Sequence, residues 1–186
     1  MNLIGFTGQM GVGKSTAIQL LRSLMHNRNL DIHLVKFAQP LYDIQELVYK
    51  RIDSVYDRPE NFVKDRKLLQ WLGTDWGRDT ISQSLWIDIW EAEVKRVWGC
   101  NPMMLVVCDD VRFDNEASIF KSLGGKIIKL ESNRNVERVD TKAGIANHKS
   151  EAGVNPQYID IIVENNGTLN EFEVSLYKAY TELGIL

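Results

Sequence analysis

Five short apolar runs recur along the chain, and the segments between them place apolar residues at helical spacing. The runs are residues 3–7, Ile32–Phe37, Met103–Cys108, Lys126–Leu130 and Ile159–Val163. Short runs rich in branched side chains predict strands, and the periodic segments predict a helix between consecutive strands. Because parallel strands require such crossovers, this alternation predicts an α/β fold, with a five-stranded parallel sheet and helices on both faces.

The third run, Met103–Cys108, is apolar throughout rather than at alternate positions. Continuous hydrophobicity is typical of a strand that is buried on both faces. We therefore expect this strand to lie near the centre of the sheet.

A long excursion, residues 39–99, separates the second predicted strand from the third. Apolar spacing predicts helices over residues 61–72 and 80–98, with a turn at Gly73–Arg78 between them. This is far more chain than a simple crossover needs. We expect this insert to bind one of two substrates, the other being the ligand of the glycine-rich loop described below.

Two helical patterns bear on packing and assembly. Thr168 and Glu171 have the spacing of a capping box, so we expect a final helix to begin there and to pack on the core.

In the insert, four apolar residues share one helix face: Trp86, Trp90, Val94 and Val97. Their spacing fits either a core position or a contact in a homodimer, and the pattern leaves both open.

Composition narrows the class of partner. The 186 residues are 44% hydrophobic, enough for one well-cored domain, and 22 basic against 25 acidic residues give a net charge of −3. Without a long basic run, a nucleic-acid polymer or an anionic membrane is disfavoured, whereas a local basic cleft for a small phosphorylated molecule is compatible. Cys100 and Cys108 fit no metal-binding spacing, and the first strand leaves no room for a leader, so we expect reduced thiols and a cytoplasmic protein.

Residues Gly8–Ser15 match the phosphate-loop pattern G-x-x-x-x-G-K-[ST], between a predicted strand and a predicted helix. Glycines let backbone N–H groups turn towards phosphate oxygens, and a helix N-terminus adds unpaired donors. Lys14 is then the cation for the β- and γ-phosphates of ATP, and the Ser15 hydroxyl is a ligand for Mg²⁺. The predicted ATP contacts are Gly8, Met10, Gly11, Val12, Gly13, Lys14, Ser15 and Thr16.

Two acids, Asp109 and Asp110, follow the apolar third run directly. In a parallel sheet this places them at the carboxyl edge beside the phosphate loop, from which a carboxylate can hold Mg²⁺ directly or through water. A solvated acidic turn is the competing interpretation. Spacing alone does not decide which of the two acids faces the metal.

Two arginines, Arg78 and Arg112, are candidates to bind the phosphate of the acceptor, because a planar guanidinium can grip a phosphate with two parallel hydrogen bonds. A surface ion pair is the alternative for each. Trp71 and Trp76 are candidates to stack on a nucleobase, and a core position is their alternative.

A second pair of arginines, Arg134 and Arg138, is spaced to share one face of a helix. Such a pair suits the charge that develops on a transferring phosphoryl group, although a solvated helix face has the same spacing. The polar, glycine-containing segment Asp140–Asn147 follows, as expected for a closing lid, and then His148 and Glu151.

Together these blocks resemble the bacteriophage deoxynucleoside monophosphate kinases, a branch of the nucleoside monophosphate kinase group of P-loop proteins. The resemblance spans nearly the whole chain. It rests on Gly8–Ser15, Phe37–Leu41, Leu68–Arg78, Asp110–Ala117, His148–Glu151 and Asn166–Leu169. The phosphate loop is shared by many enzymes, whereas the Leu68–Arg78 and Asp110–Ala117 blocks are more selective.

The resemblance implies one three-layer P-loop kinase domain: a core (residues 1–38, 100–131 and 157–186), a monophosphate-binding insert (39–99) and a lid (132–156). It implies transfer of the γ-phosphate of ATP to a deoxynucleoside monophosphate, with Mg²⁺, for DNA precursor supply, in the host cytoplasm if the gene is viral. It favours Asp110 over Asp109 at the reaction centre. The expected catalytic residues are Lys14, Asp110, Arg112, Arg134 and Arg138. The expected substrate contacts are Phe37, Trp71, Trp76, Arg78, Arg112, His148 and Glu151, and the expected metal ligands are Ser15, Asp109 and Asp110.

Two alternative functions are compatible with parts of the sequence. A kinase for another small phosphate-accepting molecule, such as dephospho-coenzyme A, has nearly the same architecture, but the tryptophan-rich insert favours a nucleobase. A nucleotide-dependent switch is disfavoured, because the Asn-Lys-x-Asp motif that such proteins use to read guanine does not occur in the sequence.

Overall fold

A computed structural model of the chain describes residues 2–58, 62, 64–133 and 153–186. The strands are β1 Leu3–Thr7, β2 Ile32–Leu34, β3 Leu105–Cys108, β4 Lys126–Glu131 and β5 Ile161–Glu164. The helices are α1 Lys14–His26, α2 Gln39–Ile52, α3 Arg66–Gln70, a π-helix Trp71–Ile81, α4 Leu85–Cys100, α5 Asp114–Ser122, a 3₁₀ turn Pro156–Tyr158 and α6 Leu169–Glu182.

The five described strands form one sheet in the order β2-β3-β1-β4-β5, and every neighbouring pair is parallel. The predicted five-stranded parallel sheet is thereby confirmed. β1 lies at the centre and pairs with β3 on one side and β4 on the other. Because all strands run the same way, the segments that follow β1, β3 and β4 meet at one edge of the sheet, where ligands of open α/β sheets bind.

Three predicted strand boundaries were wrong. β2 ends at Leu34 instead of Phe37, because the backbone N–H groups of Phe37 and Ala38 donate to the carboxylate of Asp110. β3 begins at Leu105, since the backbone before it makes a turn in which Met104 N donates to Asn101 O. β5 begins at Ile161, after the 3₁₀ turn.

Helices cover both faces of the sheet, as predicted. On one face, α1 and α6 bury Leu21, Phe172 and Tyr180 against the strands, and on the other, α4 and α5 bury Trp90 and Phe120. The whole stripe of the insert is core, with Trp86, Trp90, Val94 and Val97 between 0% and 6% exposed. Of the two interpretations of that stripe, the core position is correct, and a homodimer stays a prediction.

The predicted turn at Gly73–Arg78 is wrong, because this segment belongs to a π-helix that continues α3 without a break. Glycines let the large ring of Trp86 approach it: a Cβ on Gly77 would lie 2.5 Å from the indole, and Trp86 Nε1 donates to Gly73 O at 2.9 Å. At its end, Ser82 N reaches back to Gly77 O at 3.0 Å, the five-residue spacing of a π-turn.

The capping box of the last helix is confirmed. Glu171 N donates to Thr168 Oγ1 at 3.3 Å, and the Glu171 carboxylate accepts from Thr168 N at 2.7 Å. Across the described part of the chain, none of the helices has the length and apolar character that crossing a membrane requires.

Candidate active site

A cavity of about 670 Å³ opens at the carboxyl edge of the sheet, between the phosphate loop, the β3–α5 segment and the insert. Its lining is strongly basic, although the chain carries a net negative charge. The lysines and arginines in the lining are Lys14, Lys36, Lys64, Arg66, Arg78, Arg112 and Lys129, against Asp109, Asp110, Glu116 and Glu131. This balance favours an anionic ligand.

The phosphate loop takes its shape from three glycines. Gly8, Gly11 and Gly13 have φ angles of +133°, +82° and +104°, in the region where a Cβ is strained. α1 begins immediately afterwards at Lys14, and Gly13 O accepts the first helical hydrogen bond, from Ala17 N at 2.9 Å. The loop therefore feeds straight into a helix N-terminus, the arrangement that binds phosphate groups.

The ammonium of Lys14 lies over the loop and donates to the carbonyl oxygens of Gly8 and Gln9, both at 2.7 Å. Both acceptors are neutral carbonyl oxygens, and an anionic phosphate oxygen is a stronger acceptor for an ammonium. Ser15 and Thr16 occupy the first turn of α1. Of the remaining predicted contacts, Met10 and Val12 both line the cavity, Met10 with its side chain 61% exposed and Val12 with its side chain buried.

Asn165, which the sequence analysis missed, secures the loop from behind. Its Nδ2 donates to Val12 O at 3.0 Å, and its backbone N donates to Glu131 O at 2.8 Å. The segment after β5 thus holds the phosphate loop against the sheet. An asparagine directly after a strand is a common turn residue, so the sequence gives no signal of this role.

The two adjacent acids after β3 have different environments. Asp110 accepts from Phe37 N at 3.0 Å through one oxygen and from Ala38 N at 2.9 Å through the other. Asp109 pairs through Oδ2 with Lys36 Nζ at 2.9 Å, and its Oδ1 is buried with no hydrogen-bond partner among the described residues. Asp110 therefore holds the start of α2, and Asp109 retains an oxygen for a ligand.

The electrostatics around Asp110 fit this structural role. Burial raises the pKa of Asp110, although the N–H groups of Ala38 and Phe37 oppose that shift. Cys108 Sγ lies 3.2 Å from Asp110 Oδ1, and burial raises the pKa of this thiol well above its ordinary range. Lys36 keeps a raised pKa despite its burial, because the hydrogen bond to Asp109 stabilises its charged form.

Both predicted acceptor arginines, Arg78 and Arg112, line the cavity. Arg78 extends from the π-helix and pairs through Nη2 with Glu116 Oε1 at 2.6 Å. The other oxygen of Glu116 accepts from Arg112 N at 2.9 Å and from Phe113 N at 3.2 Å. Glu116 was not among the predicted site residues. Its position in the first turn of α5 is typical of a residue that caps the helix, but nothing in the sequence indicates its contact with Arg78.

The predicted stacking residues do not line the cavity. Trp71 is 49% exposed on the surface, and the Trp76 ring packs against Trp86 with centroids 6.4 Å apart. Phe37 and Trp86 line the cavity instead, as do Leu41 and Leu69. Trp76 was expected in a turn and lies instead in the π-helix, and the stacking of either tryptophan on a base stays a prediction.

Four predicted site residues, Arg134, Arg138, His148 and Glu151, lie outside the described residues, as does most of the predicted lid. On either side of that gap, Asn133 and Gly153 line the cavity. Within the ranges that the structure describes, no group of three or more histidine, cysteine or acidic side chains is arranged to hold a metal ion.

Comparisons with known proteins agree with this geometry. The family model described as deoxynucleotide monophosphate kinase matches residues 7–176. A putative deoxynucleotide monophosphate kinase of Acanthamoeba polyphaga mimivirus is 33% identical over 92% of both chains. The deoxynucleoside-5'-monophosphate kinase of Escherichia phage T5 is 28% identical over 76% of this chain and 55% of its own length.

Among solved structures, a dephospho-CoA kinase from Campylobacter jejuni superposes with a TM-score of 0.54 at 16% sequence identity, covering 98% of this chain and 96% of that one. This likeness supports the P-loop kinase fold alone. The family match over most of the sequence is more specific than the shared fold. The chain belongs to the deoxynucleotide monophosphate kinase family.

Proposed function

We propose that the protein transfers the γ-phosphate of ATP to the phosphate of deoxynucleoside monophosphates. The observation that supports this function is one cavity lined both by Lys14 of the phosphate loop and by Arg78 and Arg112 on the insert side. Phosphoryl transfer needs little covalent chemistry from the protein, because alignment of donor and acceptor and stabilisation of charge supply most of the rate. This cavity offers both.

Each side of the cavity has its own task in this proposal. The phosphate loop binds the triphosphate of ATP, and Lys14 neutralises the charge of the phosphoryl group in transfer. Arg78 and Arg112 bind the acceptor phosphate, while the apolar wall that includes Phe37 and Trp86 receives the base. Residues 39–99 act as the acceptor-binding insert, and residues 132–156 act as a lid whose Arg134 and Arg138 cover the transferring group.

Mg²⁺ fits the donor side. When bound with ATP, it neutralises the β- and γ-phosphate oxygens. Asp109 Oδ1, buried and without a hydrogen-bond partner among the described residues, is the ligand we assign to it, directly or through water, with the Ser15 hydroxyl as a second. We assign this role to Asp109 and not to Asp110, since both oxygens of Asp110 already accept backbone hydrogen bonds.

The proposed reaction is tested by a coupled assay of ADP release with each common deoxynucleoside monophosphate and one modified pyrimidine as acceptor. Dephospho-coenzyme A serves as the rival acceptor. We expect ADP formation that requires a monophosphate, and the matching diphosphate as product. ATP hydrolysis that no monophosphate accelerates, without any diphosphate formed, contradicts the proposal, and activity confined to dephospho-coenzyme A identifies the other kinase class.

The metal assignment is tested by comparing Asp109→Asn with Asp110→Asn. The first should weaken the apparent affinity for Mg²⁺ or lower turnover about 10- to 100-fold, as is typical when a metal site loses a supporting group. The second should act mainly on stability, costing about 1–3 kcal/mol, because an amide cannot accept both backbone N–H groups. Equal Mg²⁺ dependence in Asp109→Asn and wild type would remove Asp109 from the metal site.

A further inference from the structure

Glu116 is a buried acid in a basic cavity, only 2% exposed, and its two oxygens serve different segments. Oε1 accepts from Arg78 Nη2 at 2.6 Å, and so reaches the π-helix of the insert. Oε2 accepts from the backbone N–H groups of Arg112 and Phe113, at 2.9 and 3.2 Å. One carboxylate therefore connects both proposed acceptor arginines, the first through its side chain and the second through its backbone.

The same contacts fix the guanidinium plane of Arg78. Its central carbon lies 4.2 Å from the centroid of the Phe113 ring, and the side chain is 10% exposed. A guanidinium has five N–H donors in a rigid fork, so the contact through Nη2 still leaves this side chain the capacity to bind a phosphate. Between Glu116 and Phe113, the fork is held in one orientation at the cavity wall.

A negative charge at this position opposes the binding of a phosphate. The charge of Glu116 repels a nearby anion, and its burial strengthens that repulsion. By charge alone, removal of the carboxylate should therefore strengthen the binding of an anionic acceptor. If the carboxylate instead orders the arginines, its removal should weaken binding. The two effects have opposite signs, so the direction of the change identifies which one dominates.

We propose that Glu116 is a positioning residue that holds Arg78 and the backbone of Arg112 in the arrangement that binds the acceptor phosphate. This inference rests on the proposed function and adds to it a residue that does not itself contact substrate. The expected consequence is a selective one. Loss of the carboxylate should affect the deoxynucleoside monophosphate and leave ATP binding, on the other side of the cavity, nearly unchanged.

The test is Glu116→Gln, assayed at about pH 8 with the monophosphate that wild type phosphorylates fastest, together with calorimetric binding of that monophosphate without ATP. We expect KM and Kd for the monophosphate to rise about tenfold or more, the scale of one charge-assisted hydrogen bond, and KM for ATP to change less than about twofold. Glu116→Asp, which keeps the charge but is one methylene too short to span both partners, should show the same selectivity.

The matched control is Glu93→Gln. Glu93 also pairs with an arginine, Arg96, through two hydrogen bonds of 2.7 Å, but on an exposed face of α4 outside the cavity lining. This variant should keep all wild-type constants. A second control is the Arg78→Ala background, in which Glu116→Gln should change KM for the monophosphate less than it does in wild type, because the main partner is already lost.

An unchanged or lower monophosphate KM in Glu116→Gln overturns the inference. So does an equal rise in both KM values together with a lowered Tm, which indicates general loss of structure. If Glu116→Gln does not fold, the selectivity measured for Glu116→Asp decides the matter in the same way. Failure of wild type to phosphorylate any monophosphate contradicts the proposed function itself, whereas an active wild type with an unselective Glu116→Gln contradicts only the role of Glu116.

Discussion

The proposed donor and acceptor sides of the cavity are built in different ways. The phosphate loop is eight consecutive residues, Gly8–Ser15, whose shape follows from glycines at positive φ and from the helix that begins at Lys14. The acceptor side depends on a pairing of Arg78 with Glu116, 38 residues apart, and on a π-helix packed against an indole. A local motif can be recognised as a whole in the sequence. For a site assembled by tertiary contacts, the sequence indicates single candidate residues but not how they pair.

The two sides also differ in how they use charge. The proposed donor side offers backbone N–H groups and the ammonium of Lys14, which donates to the carbonyl oxygens of Gly8 and Gln9. The acceptor side contains an ion pair at 2.6 Å between side chains only 10% and 2% exposed. Removing one member of such a pair leaves the other uncompensated, so we expect the dependence of stability on pH to arise mainly on the acceptor side.

The largest expected effect is on the donor side. Lys14→Ala should lower turnover about 10²–10³-fold, the loss found when one preorganised donor to a transition state is removed, with KM for the monophosphate nearly unchanged. A coupled assay at saturating substrates measures the first quantity, and a monophosphate titration the second. A large rise in monophosphate KM would show that the two sides are less separate than the structure indicates.

Arg78→Ala should give the complementary result. KM for the monophosphate should rise about 10- to 100-fold, the scale of hydrogen bonds to a charged group, while KM for ATP stays within about twofold. Initial rates over a grid of both substrates provide the measurement. A defect confined to ATP would place this arginine on the donor side and remove the contrast.

Two glycine substitutions compare the stability of the two sides. Gly13→Ala should lower the free energy of unfolding by about 2–4 kcal/mol, because φ is +104° and a Cβ would lie 2.6 Å from Asn165 Nδ2. Gly77→Ala should cost less, about 1–2 kcal/mol, since its clash with Trp86 is partly offset by the better helix propensity of alanine. Urea unfolding measures both, and the reverse order would mean that Trp86 cannot adjust.

The most gradual of the expected effects is a dependence of stability on pH. Burial raises the pKa of Glu116 from its ordinary 4.5 to about 7, against the opposing N–H of Arg112 and charge of Arg78. Between these values the folded chain holds a proton that the unfolded chain has lost, so stability falls as pH rises through this window, by no more than about 1.4 kcal/mol per unit. Urea titrations near pH 5 and 7 should show that the free energy of unfolding depends less on pH in Glu116→Gln than in wild type. The same pH dependence in both proteins would mean that Glu116 is not the group responsible.

Sequence patterns located the strands of this molecule, although three of the strand boundaries were wrong. Apolar runs locate the parallel strands, and the phosphate-loop pattern locates the start of α1, because hydrophobic periodicity and glycine conformations are local properties. The π-helix was beyond reach, since its spacing depends on Trp86 packing over Gly77. Trp71 and Trp76, the two candidates for stacking on a base, lie outside the cavity lining.

The acids after β3 show a second limit of sequence reasoning. Asp109 and Asp110 are identical in type and adjacent, and the chain leaves its strand between Cys108 and Asp109, so alternation no longer predicts where each points. Their roles are decided by partners distant in sequence: Lys36 for one and the backbone of Phe37 and Ala38 for the other. These contacts lead us to assign the metal to Asp109, whereas the family resemblance favours Asp110.

The anchoring of the phosphate loop by Asn165 has a consequence for how the enzyme is made. The bond from Asn165 to Val12 joins residues 153 positions apart, and β1 pairs only with β3 and β4, strands from much later in the chain. Contacts of such long range form late in folding, because closing the large loop between the two residues costs entropy before the contact stabilises the chain. A chain still on the ribosome therefore carries its nucleotide motif near the beginning, but the bond that anchors this motif forms only after Asn165 has been synthesised.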